Sequence, residues 1–170
     1  MVFDPRGRFF LVPDKGLDAV FAFRVDPASG KLLPGRPPSV VTRRGAGPRH
    51  AGFPPTAPHA YVLNELDSTL TTYRFDPEGG GLTPLQVITT LPPAFTGDNT
   101  ASEIAVAPSG RFVYASNRVH DSIVIFRVDG VAGVLEPVGW EPTQGKTPRF
   151  FTLDPAGTLL YAANQDSDTS

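Results

Sequence analysis

Two residues suited to proton transfer, His50 and Glu103, lie 53 positions apart in the sequence. The same distance separates Asn64 from Asn117, so both pairs fit a single internal repeat. If neighbouring repeats pack side by side, the imidazole and the carboxylate meet at one level of a shared channel. A histidine titrates near neutral pH, and a carboxylate can orient it or take the proton itself. We therefore predict that both residues are catalytic, and the sequence leaves open which of them is the base.

Arginine and amide side chains occupy further positions in the same register. Arg149 is the counterpart of Arg49, and a guanidinium there could stabilise an oxyanion or hold a substrate phosphate or carboxylate. Pairing with a carboxylate of the next repeat would explain Arg149 equally well, and the asparagines are also explained by bonds to nearby backbone. We predict Arg149 as a third catalytic residue. The predicted substrate-binding residues are Arg49, Asn64, Glu65, Asn117, Arg118 and Asn164.

Three sequence markers recur along the chain about every 50 residues. The segment 23–27, Phe-Arg-Val-Asp-Pro, recurs as Tyr-Arg-Phe-Asp-Pro at 73–77 and as Phe-Arg-Val-Asp at 126–129. The segment 4–7, Asp-Pro-Arg-Gly, has a counterpart at 154–157, and this pattern is typical of a type I turn with proline second and glycine fourth. The third marker is the polar residue that ends the strand after this turn. It stands at Asp14, Asn64, Asn117 and Asn164.

Runs of β-branched and aromatic residues between the turns predict four antiparallel strands per repeat, which is the pattern of a propeller blade. We predict an all-β protein, a β-propeller whose first strand in each blade is innermost. The 170 residues supply about 3.4 blades, fewer than the usual minimum of about four. The predicted blade segments are residues 1–48, 49–101, 102–148 and 149–170. We expect either a piece of a longer polypeptide, which we favour, or copies that associate to close the ring.

Composition excludes several other classes of protein. The 17 glycines and 19 prolines make a helical bundle untenable. With a net charge of −2 and scattered basic residues, the chain offers no nucleic-acid-binding surface. It has no cysteine, and its three histidines do not have a metal-ligand spacing, so we expect neither metal nor cofactor. No apolar run approaches the roughly 18 residues that span a membrane, and no signal peptide is evident, so we expect a soluble, cytoplasmic protein.

Five motifs resemble the lactonase family of seven-bladed β-propellers, which is typified by bacterial 6-phosphogluconolactonase and is related to fungal carboxymuconate cyclases. They are Gly-Ala-Gly-Pro-Arg-His at 45–50, Tyr-Val-Leu-Asn-Glu-Leu at 61–66, Ala-Ser-Glu-Ile at 101–104, Pro-Ser-Gly-Arg-Phe-Val-Tyr-Ala-Ser-Asn-Arg at 108–118 and Thr-Pro-Arg-Phe at 147–150. The resemblance covers essentially the whole chain. It implies metal-independent hydrolysis of a sugar lactone in a polar central funnel, with 6-phosphogluconolactone as the expected substrate and no cofactor.

Two other functions stay open on the sequence. A carboxymuconate cyclase-type enzyme would form a lactone within a carboxylated muconate instead of hydrolysing one. A non-catalytic propeller would use the same funnel as a binding platform, because a fold does not determine a function. The expected partner is a small anionic lactone, with no nucleic acid and no membrane, and exposed blade edges are expected to favour self-association.

Overall fold

A computed structural model describes residues 1–169. Strands, turns and loops make up this part of the chain. It contains no helix that is long and apolar enough to cross a membrane. The strands are β1 (Val2–Phe3), β2 (Phe9–Asp14), β3 (Ala19–Val25), β4 (Leu32–Val41), β5 (Pro48–Gly52), β6 (His59–Asn64), β7 (Thr69–Phe75), β8 (Leu82–Thr89), β9 (Ala101–Val106), β10 (Phe112–Asn117), β11 (Ser122–Val128), β12 (Leu135–Pro142), β13 (Pro148–Leu153) and β14 (Leu160–Asn164).

These strands form four antiparallel sheets in which each strand pairs with its neighbours in the sequence. Sheet 1 consists of β1 to β4, sheet 2 of β5 to β8, sheet 3 of β9 to β12, and sheet 4, within the described residues, of β13 and β14. This strand order is that of propeller blades, so the predicted all-β propeller architecture is confirmed. Sheets 2, 3 and 4 begin at Pro48, Ala101 and Pro148, each one residue before the predicted segment limit.

Tight turns connect the first strand of a sheet to the second, as the recurring proline and glycine marker predicts. The amides of Gly7, Gly110 and Gly157 each donate to the carbonyl three residues earlier, at 2.8 to 2.9 Å. Asp4 and Asp154 strengthen two of these turns, because each carboxylate accepts two further backbone N–H bonds at 2.6 to 2.7 Å. The turns therefore fix how the first and second strands align.

Strand β6 illustrates how adjacent sheets pack face to face. Ala60 and Val62 join the apolar cluster between sheets 1 and 2, whereas Tyr61 and Leu63 join the cluster between sheets 2 and 3. All six residues of β6 are buried. Such a strand needs apolar residues on both faces, which accounts for its short, nearly continuous hydrophobic sequence. Burial of these surfaces holds the sheets against one another.

The first strands of sheets 2, 3 and 4 lie side by side. β5 contacts β9, and β9 contacts β13. In sheets 2 and 3 the fourth strand lies at the opposite edge of the sheet. Residues at the start of β5, β9 and β13 can therefore face one shared cavity.

A recurring clasp holds the turn between the second and third strands of each complete sheet. Asp18, Ser68 and Asp121 adopt φ values of 48°, 51° and 53°, a left-handed conformation that is uncommon outside glycine. The carbonyl of each accepts two hydrogen bonds from a threonine just after the fourth strand, one from its N–H and one from its hydroxyl, at 2.8 to 3.1 Å. The threonines are Thr42, Thr90 and Thr143.

We expect the isolated 170-residue chain to self-associate in solution. Within residues 1–169, β14 pairs with β13 along one edge, its other edge has a single bridge from Asn164 to Thr169, and Tyr161 on β14 is 57% exposed. An uncovered strand edge with apolar side chains is a template for pairing. Size-exclusion chromatography with light scattering measures the association.

A charge on this edge should oppose the association. Tyr161→Lys should shift the chain toward monomer, whereas Val131→Lys, at a fully exposed turn of sheet 3, should not. A monodisperse monomer for the unsubstituted chain would contradict this expectation.

Candidate active site

The first strands of sheets 2, 3 and 4 each contain a β-bulge near their start. Arg49 lies between two paired residues of β5 and has no partner in β6, and Arg149 has the same position in β13. In sheet 3, Ser102 and Glu103 together oppose one residue of β10. A bulge lets consecutive side chains point the same way, whereas a regular strand sends them to opposite faces. Arg49 and His50 consequently line the same cavity.

Gly47 provides the backbone conformation that precedes the bulge at Arg49. Its φ is 65°, and a Cβ atom there would lie 2.6 Å from the Leu66 Cγ, so the position requires glycine. The N–H of Gly47 donates to the Asp18 carboxylate at 2.8 Å, and its carbonyl accepts the N–H of Glu65 at 2.8 Å. Contacts from two sheets therefore set the point at which β5 begins.

A cavity of about 560 Å³ opens beside the bulges. Sheet 2 contributes Arg49 and His50, sheet 3 contributes Glu103, and sheet 4 contributes Arg149 and Phe150. This volume is within the range of pockets for small molecules. All three predicted catalytic residues therefore reach one cavity, together with one of the predicted binding arginines.

His50 and Glu103 meet at the junction of sheets 2 and 3. Nδ1 of His50 lies 2.7 Å from Oε1 of Glu103. The same oxygen accepts the N–H of Ile104 at 3.0 Å, and the N–H of Glu103 donates to the Ser116 hydroxyl at 3.0 Å, so the carboxylate is held in place. When Glu103 accepts the Nδ1 proton, Nε2 of His50 is the ring nitrogen that can take up another.

Arg149 approaches the cavity from sheet 4. Its Nη1 donates to Oε1 of Gln165 at 2.9 Å, and its backbone carbonyl accepts the hydroxyl proton of Ser102 at 2.7 Å. A guanidinium has five N–H donors, so most of them remain for a ligand. Arg149 is thus placed to bind an anion or a developing negative charge.

Glu65 and Arg118, two of the predicted binding residues, do not line the cavity. Glu65 has 8% of its side chain exposed and pairs with three cations. Its Oε1 contacts the Lys15 Nζ at 3.2 Å and an Arg118 nitrogen at 2.7 Å, and its Oε2 contacts an Arg49 nitrogen at 2.7 Å. Burial favours a higher pKa, but hydrogen bonds from Arg118, Arg49 and Lys15 outweigh it and lower the pKa of Glu65 to about 2.

Two of the three predicted binding asparagines, Asn117 and Asn164, connect neighbouring sheets, whereas the amide of Asn64 bonds Thr69 and Thr71 of its own sheet. Asn64 and Asn117 are buried and do not line the cavity, while Asn164 does. The amide of Asn117 donates to the Thr90 carbonyl at 2.9 Å, and its oxygen lies 2.7 Å from the Thr90 hydroxyl oxygen. The amide of Asn164 likewise donates to the Thr143 carbonyl at 3.1 Å. These contacts secure the end of the fourth strand.

Several residues at the cavity had no role assigned from the sequence. Phe150 and Gln165 occupy the same repeat positions as His50 and Glu65, whereas Asp168 and Thr169 were not predicted to reach the site. Asp168 has a φ of 51° and occupies the turn position that Asp18 occupies in sheet 1. A fourth marker, four residues after each Asp or Asn of the third, would have identified it.

The other histidines do not reach the cavity. His59 is buried and its ring packs on Gly133, and the His120 ring bonds the Ser122 hydroxyl at 2.6 Å. Within residues 1–169 no group of three or more His, Cys, Asp or Glu side chains is arranged to hold a metal ion.

Known proteins match the chain along its whole length. A family model described as "Lactonase, 7-bladed beta-propeller" matches residues 1–170. The chain is 35% identical over 164 residues to the 6-phosphogluconolactonase of Serratia proteamaculans, covering 96% of this chain and 49% of that protein. It is 34% identical over 165 residues to the 6-phosphogluconolactonase of Bacillus subtilis, covering 97% and 46% respectively.

A solved structure shows the same arrangement of strands. The Pseudomonas aeruginosa periplasmic gluconolactonase PpgL matches with a TM-score of 0.89 and 34% identity, over 98% of this chain and 47% of that one. The chain thus spans about half the length of the curated relatives it matches.

We expect Glu65→Gln to lower the free energy of unfolding at neutral pH and to lower it less at pH 3, where part of the stabilisation by the ion pairs is lost. The folded pKa of about 2 lies below the ordinary value of 4.5, so the ion pairs contribute stability above about pH 4.5 that is lost as the pH falls toward 2. A shift of this size is worth at most about 3 kcal/mol at pH 7. Denaturant unfolding at pH 7 and pH 3 measures the difference.

Glu136→Gln is the matched control, because Glu136 pairs with Arg127 on an exposed surface and should contribute little. An equal loss of stability at both pH values for Glu65→Gln would show that the charge of Glu65 is not responsible.

Proposed function

The chain belongs to the lactonase family of seven-bladed β-propellers, and on this premise we propose that the protein hydrolyses a sugar lactone at the His50–Glu103 pair. The main support for this proposal is the 2.7 Å contact between His50 Nδ1 and Glu103 Oε1, which lies on the wall of a cavity large enough for a sugar derivative. Two relatives at 34% and 35% identity bear the name 6-phosphogluconolactonase, which supports 6-phosphogluconolactone as the substrate.

His50 acts as the general base in this proposal. Its Nε2 accepts a proton from water while the water oxygen attacks the lactone carbonyl carbon. Glu103 keeps the ring oriented through Nδ1 and stabilises the imidazolium that forms, as a carboxylate does in other histidine-dependent hydrolases. Collapse of the tetrahedral intermediate breaks the bond between the carbonyl carbon and the ring oxygen. The imidazolium then returns the proton to that oxygen, and the product is the open-chain acid.

Arg149 and Arg49 supply positive charge in this proposal. Negative charge develops on the carbonyl oxygen as water attacks, and a preorganised guanidinium stabilises it. A guanidinium also binds phosphate through two parallel hydrogen bonds, which favours a phosphorylated lactone. Because side chains provide both the base and the charge stabilisation, the proposed reaction requires no metal ion.

We expect His50→Gln and Glu103→Gln each to lower kcat for 6-phosphogluconolactone by about 100-fold or more, because each removes part of the general base. Acid release above the spontaneous rate is the measurement, made on the longest natural polypeptide that contains these residues. Glu136→Gln, on the outer strand β12, is the matched control and should retain activity. A chelator should leave the rate unchanged.

Four results would contradict this assignment. Unchanged kcat in both variants would remove His50 and Glu103 from the mechanism, and loss of activity with a chelator would contradict a metal-free reaction. Turnover of a carboxylated muconate without lactone hydrolysis would instead assign lactone formation to the site. Binding of the lactone without turnover would assign a binding platform.

A further inference from the structure

Glu65 is a buried carboxylate that the proposed reaction does not use. Its partners come from three different sheets: Lys15 follows β2 in sheet 1, Arg49 lies in β5 of sheet 2, and Arg118 follows β10 in sheet 3. One negative and three positive charges give this cluster a net charge of +2. We refer to these four residues as the Glu65 cluster.

Both oxygens of Glu65 are occupied within the cluster. Oε1 accepts from Lys15 and Arg118, and Oε2 accepts from Arg49. Glu65 is 8% exposed and Arg49 is 22% exposed, so water competes weakly for this contact. Charge-assisted bonds that are shielded from water are stronger than those on a surface. Glu65 therefore fixes the position of the Arg49 guanidinium.

Arg49 connects Glu65 to sheet 3. While its Nη1 bonds Glu65 at 2.7 Å, its Nε donates to the backbone carbonyl of Ser102 at 2.9 Å. A planar guanidinium with two fixed partners cannot turn without breaking one of the bonds. Ser102 lies in the bulge of β9, immediately before Glu103, and its hydroxyl donates to the Arg149 carbonyl at 2.7 Å.

We propose that Glu65 is a positioning residue for the lactone hydrolysis. Through Arg49 it anchors the Ser102 carbonyl and so keeps the Glu103 carboxylate within hydrogen-bond distance of His50. This inference rests on the proposed function. Glu65 itself touches no reacting atom, so its loss slows the chemical step more than it weakens substrate binding.

The kinetic test separates kcat from KM. Glu65→Gln should lower kcat by about 10-fold to 100-fold with a smaller change in KM, because a displacement of about 1 Å at a catalytic group has an effect of this size. Glu65→Asp keeps the charge but shortens the side chain, so its kcat should be intermediate.

A double-variant cycle distinguishes positioning from general stability. In an Arg49→Met background the connection to Ser102 is already broken, so adding Glu65→Gln should have little further effect on kcat. The same addition should still lower the free energy of unfolding, because Lys15 and Arg118 continue to pair with Glu65. A purely structural role would change kcat and stability in parallel.

The Arg49 Nε–H proton provides a readout that does not depend on activity. In ¹H–¹⁵N spectra it should exchange slowly with solvent in the unsubstituted protein and rapidly in Glu65→Gln. Asp67→Asn is the matched control, because Asp67 lies two residues away and pairs with Arg43 rather than Arg49. This control should retain both the slow exchange and the activity.

Each result decides the inference. A folded Glu65→Gln variant with unchanged kcat and slow Arg49 Nε–H exchange overturns this inference and leaves the proposed function unaffected. An unsubstituted protein that hydrolyses no lactone overturns the proposed function and this inference with it. If Glu65→Gln does not fold, Glu65→Asp takes its place, and unchanged kcat and exchange in that variant overturn the inference.

Discussion

β5, β9 and β13 lie side by side because the sheets bury apolar faces against their neighbours. In β6, for example, alternate side chains belong to two different apolar clusters and all six residues are buried. This face-to-face burial sets the spacing between the sheets, and polar groups at the starts of the first strands then come within hydrogen-bond reach. The 2.7 Å contact between His50 and Glu103 joins two sheets and is possible only at that spacing.

The repeats share one scaffold and differ in side-chain chemistry at two positions. The clasp at Asp18, Ser68 and Asp121 is the same in three sheets. In contrast, the residue at the bulge and the residue after the second strand differ in chemical type from sheet to sheet. The first series is His50, Glu103 and Phe150, and the second is Lys15, Glu65, Arg118 and Gln165. Sheets 2 and 3 therefore pair an imidazole with a carboxylate at one level, and at the other level sheets 1 to 3 surround one buried carboxylate with three cations.

Equal spacing made the fold and the His50–Glu103 pair predictable, because residues at one register position of adjacent repeats must meet when the repeats pack. The bulges were not predictable, since a shift of one residue in strand pairing leaves no mark in composition or spacing. They explain why Arg49 lines the cavity beside His50. Burial explains why Asn64 and Glu65 do not line the cavity: both are in the predicted register, but the Asn64 amide nitrogen and the Glu65 carboxylate bond the protein itself.

The most direct test of the account is a crystal structure of the protein with 6-phosphogluconate, the product of the proposed reaction. We expect the carboxylate of the product next to the His50 ring and its phosphate on the guanidinium of Arg149 or Arg49. A product molecule elsewhere would contradict the account. One such place is the groove of about 890 Å³ between sheets 1 and 2 that Arg24 and Arg36 line.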